Sequence, residues 1–167
     1  MKFAASVVVA NHIVVLNLIT WSSVSMKQIK KERSFLEKLA CPTAFTDMVD
    51  GMVKAIESLE FDKIAAIEAL GLPLGGAVAY ARRKDIVILR KEGTIPDADN
   101  ELYHTHTFTD HSEQEKTFRV LRKAINAGDQ IVIVDEHSDS GSQIKAAARL
   151  VTDAGAKVVC VLLFSAD

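Results

Sequence analysis

The chain has 167 residues, 49% of them hydrophobic and 25% charged, with a formal net charge of −2. That length suits one domain with a sizeable core and is short for two, and the balance of residues is that of a folded globular protein rather than a disordered one. With no basic block longer than "KQIKKER" at 27–33, nothing calls for a nucleic-acid backbone as partner, and two cysteines, Cys41 and Cys160, are too few for a disulfide or zinc framework.

The amino end, "MKFAASVVVANHIVVLNLIT", puts one lysine ahead of an apolar run, as a secretory signal does. Asn11 and His12 split that run into two short β-branched pieces, Asn17 interrupts it again, and "SSVSM" is not a small-x-small cleavage site. Two strands joined by a turn at "ANH" are therefore expected, with no uninterrupted apolar segment long enough to span a membrane and a cytoplasmic location. Residues 25–40 carry a rough helical stripe through Met26, Ile29, Phe35, Leu36 and Leu39, and Pro42 punctuates it. From Thr43, placed to cap a first turn, the positions Phe45, Met48, Val49, Met52, Val53, Ile56 and Leu59 follow helical spacing closely.

Further along, "KIAAI" (63–67) reads as a buried strand, 74–84 as a helix and "DIVILR" (85–90) as a strand. The polar stretch 91–112 is long for a connection inside a compact domain and reads as a lid. "SEQEKTFRVLRKAI" (112–125) is expected to be a helix opened by a serine cap. A strand at 129–135, a helix at 142–154 stopped by Gly155 and a strand at 157–164 complete the chain. Apolar strands alternating with helices predict an α/β class, doubly wound, with a mostly parallel sheet and helices on both faces. The expected organisation is a single domain: a hairpin and helix over 1–42, and an α/β core over 43–167 that carries the lid.

The stretch "IVIVDEHSDSGSQ" (131–143) runs from an apolar strand through two acids and a small-residue turn into a helix. Such a turn gathers backbone N–H groups and the positive end of the helix dipole, which suits a phosphate. Ser140, Gly141 and Ser142 allow close approach to the backbone, and His137 could reach a phosphate. Asp135 and Glu136 would repel that phosphate unless they face sugar hydroxyls or a Mg²⁺ ion, so the chemistry implied is a phosphorylated sugar. The competing explanation is that the acids and serines only cap the helix.

This stretch resembles the phosphoribosyl pyrophosphate (PRPP) motif of the type I phosphoribosyltransferases. The resemblance implies that Asp135 and Glu136 receive the ribose hydroxyls and sit indirectly beside Mg²⁺, while the segment His137, Ser138, Asp139, Ser140, Gly141, Ser142 and Gln143 holds the 5′-phosphate. A second segment, "IAAIEALGLPLGGAVA" (64–79), is similar to the pyrophosphate loop of adenine phosphoribosyltransferases. It implies a pyrophosphate contact at Ala69, Leu70 and Gly71, with Leu70 standing where that family usually has arginine. A third, "LRKEGTIP" (89–96), resembles the opening of the family's flexible catalytic loop and brings Arg90 and Lys91, whose alternative is to be solvated charges at a strand end. The 1–25 hairpin is then the candidate for the hood that encloses the base.

The implied reaction is transfer of the 5-phosphoribosyl group from PRPP to a purine, through a transition state with positive charge on the sugar and negative charge on the departing pyrophosphate. Mg²⁺ with Lys91 or Arg90 would neutralise the leaving group. The segment 64–96 favours adenine. Asp139 stands where an acid in hypoxanthine-guanine enzymes acts as general base, which keeps a 6-oxopurine as the second choice; a role for Asp139 as helix cap is equally open. The departures at Leu70, Ser142 and Gln143 also admit a non-catalytic PRPP or nucleotide sensor. A homodimer is what the resemblance implies. His104, His106 and His111 could ligate zinc in principle, but polar lid residues are the commoner explanation.

Overall fold

A computed structural model describes residues 35–91, 103–109, 115–138 and 141–166. The expected hairpin and hood, most of the 25–40 helix, and residues Asp139 and Ser140 lie outside the described residues. Two helices open the described chain, α1 (Phe35–Leu39) and α2 (Pro42–Ala55). There follow β1 (Lys63–Ile67), α3 (Gly71–Arg82), β2 (Asp85–Lys91), β3 (Tyr103–Thr109), β4 (Glu115–Leu121), a 3₁₀ turn (Arg122–Ala124), β5 (Gln130–Ser138), α4 (Ser142–Asp153) and β6 (Lys157–Ala166).

The six strands form one sheet in the order β3-β4-β2-β1-β5-β6. The β1–β2, β1–β5 and β5–β6 pairs are parallel, while β2–β4 and β3–β4 are antiparallel. Strand alternation divides the core between the two faces. Ile64, Val132, Val134, Cys160 and Leu162 pack with Met48, Met52 and Ile56 of α2 and its continuation, and with Leu74 and Val78 of α3. Ala65, Ile67, Val87, Leu89, Ile131 and Ile133 pack on the other side with Ile144, Ala147, Leu150 and Val151 of α4. Helices on both faces, over a mostly parallel sheet, agree with the expected class.

Local details differ from the sequence reading. α2 begins at Pro42, whose missing N–H costs nothing in a first turn, and Cys41 is its N-cap residue; Thr43, expected to cap, lies inside the helix. α3 begins at Gly71 rather than at residue 74. Gly75 sets it against β1, since a Cβ there would lie 2.5 Å from the Ala66 Cβ. Because α3 sits over β1 and β5, β2 keeps one face partly open, with Ile86 41% and Ile88 44% exposed; the expectation of strands covered on both faces fails there.

The expected helix at 112–125 is instead β4 followed by the 3₁₀ turn. Phe118 and Val120 alternate inward and are fully buried, while β3, drawn from the stretch read as an unstructured lid, pairs with β4 from Tyr103↔Leu121 to Thr109↔Glu115. Phe108 stacks on Phe118 with ring centroids 5.0 Å apart, and the Thr107 and Thr117 hydroxyls meet at 2.9 Å. A cross-strand partner that is distant along the chain thus overrides the local helical pattern.

Candidate active site

Parallel strands bring their carboxyl ends to one edge of the sheet. Here Ala66 is opposite Val134 and Ile67 is opposite Leu89, so the segments that follow β1 and end β2 and β5 converge. Gly71 fits so closely that a Cβ would come 2.9 Å from the Val134 carbonyl oxygen and 3.0 Å from Asp135 Oδ1. A glycine is required at this position by space alone. Leu70 is the N-cap residue of α3, so Ala69, Leu70 and Gly71 stand at the helix end whose first N–H groups have no intrahelical acceptor. This end attracts anions, while the Leu70 side chain contributes no charge.

Asp135 is only 4% exposed, and its carboxylate Oδ1 accepts the Glu136 N–H at 2.9 Å. Burial pushes the Asp135 carboxyl up to about 9, aided by hydrogen bonding to the Glu136 carboxyl and by its negative charge; the Glu136 N–H and the charge of Lys91 oppose the rise. Two fully ionised carboxylates, the expectation from sequence, are therefore replaced by a buried acid that keeps its proton through neutral pH beside a partly exposed partner. A protonated carboxyl donates as well as accepts hydrogen bonds. The sequence places these acids at the strand's end, but β5 continues through His137 and Ser138, which pair with Ser165 and Ala166 of β6.

At the end of β2 lie Arg90 and Lys91. Both are tied to Glu68, which belongs to the segment resembling the pyrophosphate loop but carried no role in the sequence reading: Lys91 N–H donates to Glu68 Oε2 at 2.9 Å, and the Arg90 guanidinium lies 3.6 Å from Glu68 Oε1. Glu68 N–H itself donates to the Leu89 carbonyl at 3.0 Å, extending the β1–β2 ladder by one step. The available sequence signal was an acid placed directly after an apolar strand, one residue before the loop.

Of the expected 5′-phosphate segment, Gly141 has φ +74°, a left-handed conformation natural to glycine, and is the N-cap residue of α4. Ser142 and Gln143 form the first turn of that helix. Asp139, the expected general base, is outside the described residues, as is Ser140. Among the described residues no three His, Cys, Asp or Glu side chains gather in a metal-holding group. Glu136 is the more accessible of the two acids, and a Mg²⁺ beside it would draw most of its oxygens from phosphates and hydroxyls of a substrate, as Mg²⁺ commonly does. His104 and His106 lie on β3, two residues apart, and His111 lies outside the described residues.

Residues 42–166 match the family model of the phosphoribosyl transferase domain. The chain is 33% identical over 115 residues to the adenine phosphoribosyltransferase of Agathobacter rectalis, covering 68% of this chain and 63% of that protein. It is 34% identical over 128 residues to the enzyme of the same name from Methylobacterium nodulans, covering 76% and 67%. It thus spans about two thirds of the length of these curated relatives. Among solved structures, adenine phosphoribosyltransferase from Thermoanaerobacter pseudethanolicus matches with a TM-score of 0.73 and 27% identity, over 80% of this chain and 75% of that one. The Saccharomyces cerevisiae enzyme, solved with adenine and an imino-altritol bisphosphate, matches with a TM-score of 0.64 and 26% identity, over 75% and 70%.

Proposed function

Because this chain belongs to the phosphoribosyltransferase family, we propose that it transfers the 5-phosphoribosyl group of PRPP to a purine base, adenine first, releasing pyrophosphate and forming a nucleoside monophosphate. The observation that carries the reading is the convergence at one sheet edge of Gly71 against Asp135 and of Glu68 against Arg90 and Lys91, with the start of α4 following β5.

In this reading Asp135 and Glu136 hold the vicinal ribose hydroxyls, the protonated acid donating one hydrogen bond and its partner accepting another. The backbone from His137 through Gly141 to Gln143 receives the 5′-phosphate, and Ala69, Leu70 and Gly71 present N–H groups to the pyrophosphate. As the bond between the sugar and pyrophosphate breaks, its electron pair leaves with pyrophosphate, and Arg90 and Lys91 stabilise that growing negative charge. A base nitrogen forms the new bond to the sugar, and its proton passes to solvent water. Mg²⁺, when bound with the substrate, supplies further charge neutralisation at the departing oxygens.

The same proposal includes a homodimer acting in purine salvage in the cytoplasm; gel filtration showing only monomer would reject the dimer. Among the described residues no helix is long and apolar enough to cross a membrane. The uncharged Leu70 at the pyrophosphate loop favours one second reading, a PRPP sensor without turnover. Incubation with Mg²⁺, PRPP and each of adenine, hypoxanthine and guanine separates the cases. Adenosine monophosphate with equimolar pyrophosphate is expected. Product from a 6-oxopurine alone would assign Asp139 as general base, and PRPP binding with no product from any base would favour the sensor.

A further inference from the structure

We propose that Glu68 is a positioning residue for the leaving pyrophosphate, orienting the Arg90 guanidinium and the Lys91 backbone from the loop that receives it. The inference rests on the transfer reading above and deepens it at one residue. One carboxylate uses both oxygens on the two cationic residues that end β2: Oε2 accepts the Lys91 N–H at 2.9 Å and Oε1 lies 3.6 Å from the Arg90 guanidinium. Its own backbone leads directly through Ala69 and Leu70 to Gly71, which is pressed against Asp135. Glu68 therefore fixes the distance between the pyrophosphate loop and the cations. Leu70 leaves that loop without a cation of its own, so charge must be delivered from β2.

The ion pair with Arg90 is a weak source of stability. The Arg90 side chain is 40% exposed, and an ion pair of that exposure and length contributes little to folding. The Glu68 side chain is only 15% exposed, so its charge is partly desolvated, whereas the neighbouring residues Ile67 and Leu89 bury apolar groups at no such cost. A charged side chain at this step is accounted for by what it orients. Small displacements of such groups are expensive when they must meet charge that develops at a defined place.

The test compares wild type with Glu68→Gln, which keeps the side-chain size and an acceptor for the Lys91 N–H but removes the charge facing Arg90. Calorimetric titrations use pyrophosphate and, separately, ribose 5-phosphate, each with Mg²⁺. Pyrophosphate affinity is expected to fall about tenfold, the value of one charge-assisted contact, with ribose 5-phosphate affinity unchanged. Adding Arg90→Ala to Glu68→Gln should then cost little more, since members of one network are not additive. Equal loss of both affinities would mark Glu68 as merely structural and overturn the proposal. An unchanged or increased pyrophosphate affinity in the variant, where wild type binds it, would overturn it as well. A wild type that binds neither ligand would instead remove the transfer reading itself, and this inference with it.

Discussion

Asp135 shows how much of this site's chemistry is set by burial. Its carboxyl is held protonated up to about 9, against an ordinary value of 3.8. Between those values the folded chain binds a proton that the unfolded chain has released, so this group makes stability fall as pH rises from about 4 to about 9. Below that window the contribution disappears, because both states are protonated. Asp135→Asn keeps the shape of the neutral acid and removes the titration. The variant should therefore melt at nearly the wild-type temperature near pH 4 and above it near pH 8; a difference that does not change with pH would contradict the assignment. The strain is tolerable at a site that must present a polar pair to a ligand, and it is the kind of local cost expected where function overrides stability.

At the scale of elements, the hairpin β3–β4 separates the strand reading from the helix expected over 112–125. Phe118 is fully buried under Phe108 and Glu115 is exposed. Phe118→Ala should cost about 3–5 kcal/mol and Glu115→Ala within about 0.5 kcal/mol, as read from urea unfolding midpoints. Comparable effects at the two positions would contradict the pairing. The same hairpin marks where sequence ceases to be legible. β1, β5, α4 and β6 could be read because each declares itself locally, through an apolar run, a glycine-bearing turn or a helical stripe. "EKTFRVL" cannot be read alone, because its strand state depends on "YHTHTFT" a loop away. The candidate site divides in the same manner. Asp135, Glu136 and Gly71 were legible from local motifs, whereas Glu68 acquires its role only when β1 pairs with β2 and brings Arg90 and Lys91 beside it.

Across the whole molecule, the two ends of the sheet are built differently. At the amino end of β1, Lys63 is buried, donating to the Ala124 carbonyl at 3.0 Å and pairing with Asp129 at 2.8 Å. Burial alone would raise the Asp129 carboxyl, but the hydrogen bonds from Lys63 and from the Asn126 N–H, with the lysine's charge, hold it below the usual range. This pair ties β1 to the turn that leads into β5. Removing the lysine takes one charge-assisted partner from the partly buried Asp129, so Lys63→Met should destabilise by about 1–2 kcal/mol while leaving PRPP affinity unchanged, the site being at the opposite edge. Loss of affinity in a folded Lys63→Met protein would show that the two ends are coupled. The carboxyl end, in contrast, gathers Arg90 and Lys91 of β2, Asp135 and Glu136 of β5 and Glu68 just after β1 beside the starts of α3 and α4, an arrangement better suited to a ligand than to stability.

The most direct test of this account is calorimetric titration of Mg²⁺–PRPP into wild type and into Asp135→Asn/Glu136→Gln, with the melting temperature of each measured alongside. Wild type is expected to bind, and the folded variant to lose about tenfold in affinity, chiefly because the Glu136 carboxylate gives way to an amide while the amide that replaces the neutral Asp135 still donates a hydrogen bond. Equal affinity in the two proteins would contradict the assigned ribose site, and absence of binding by wild type would contradict the proposed function.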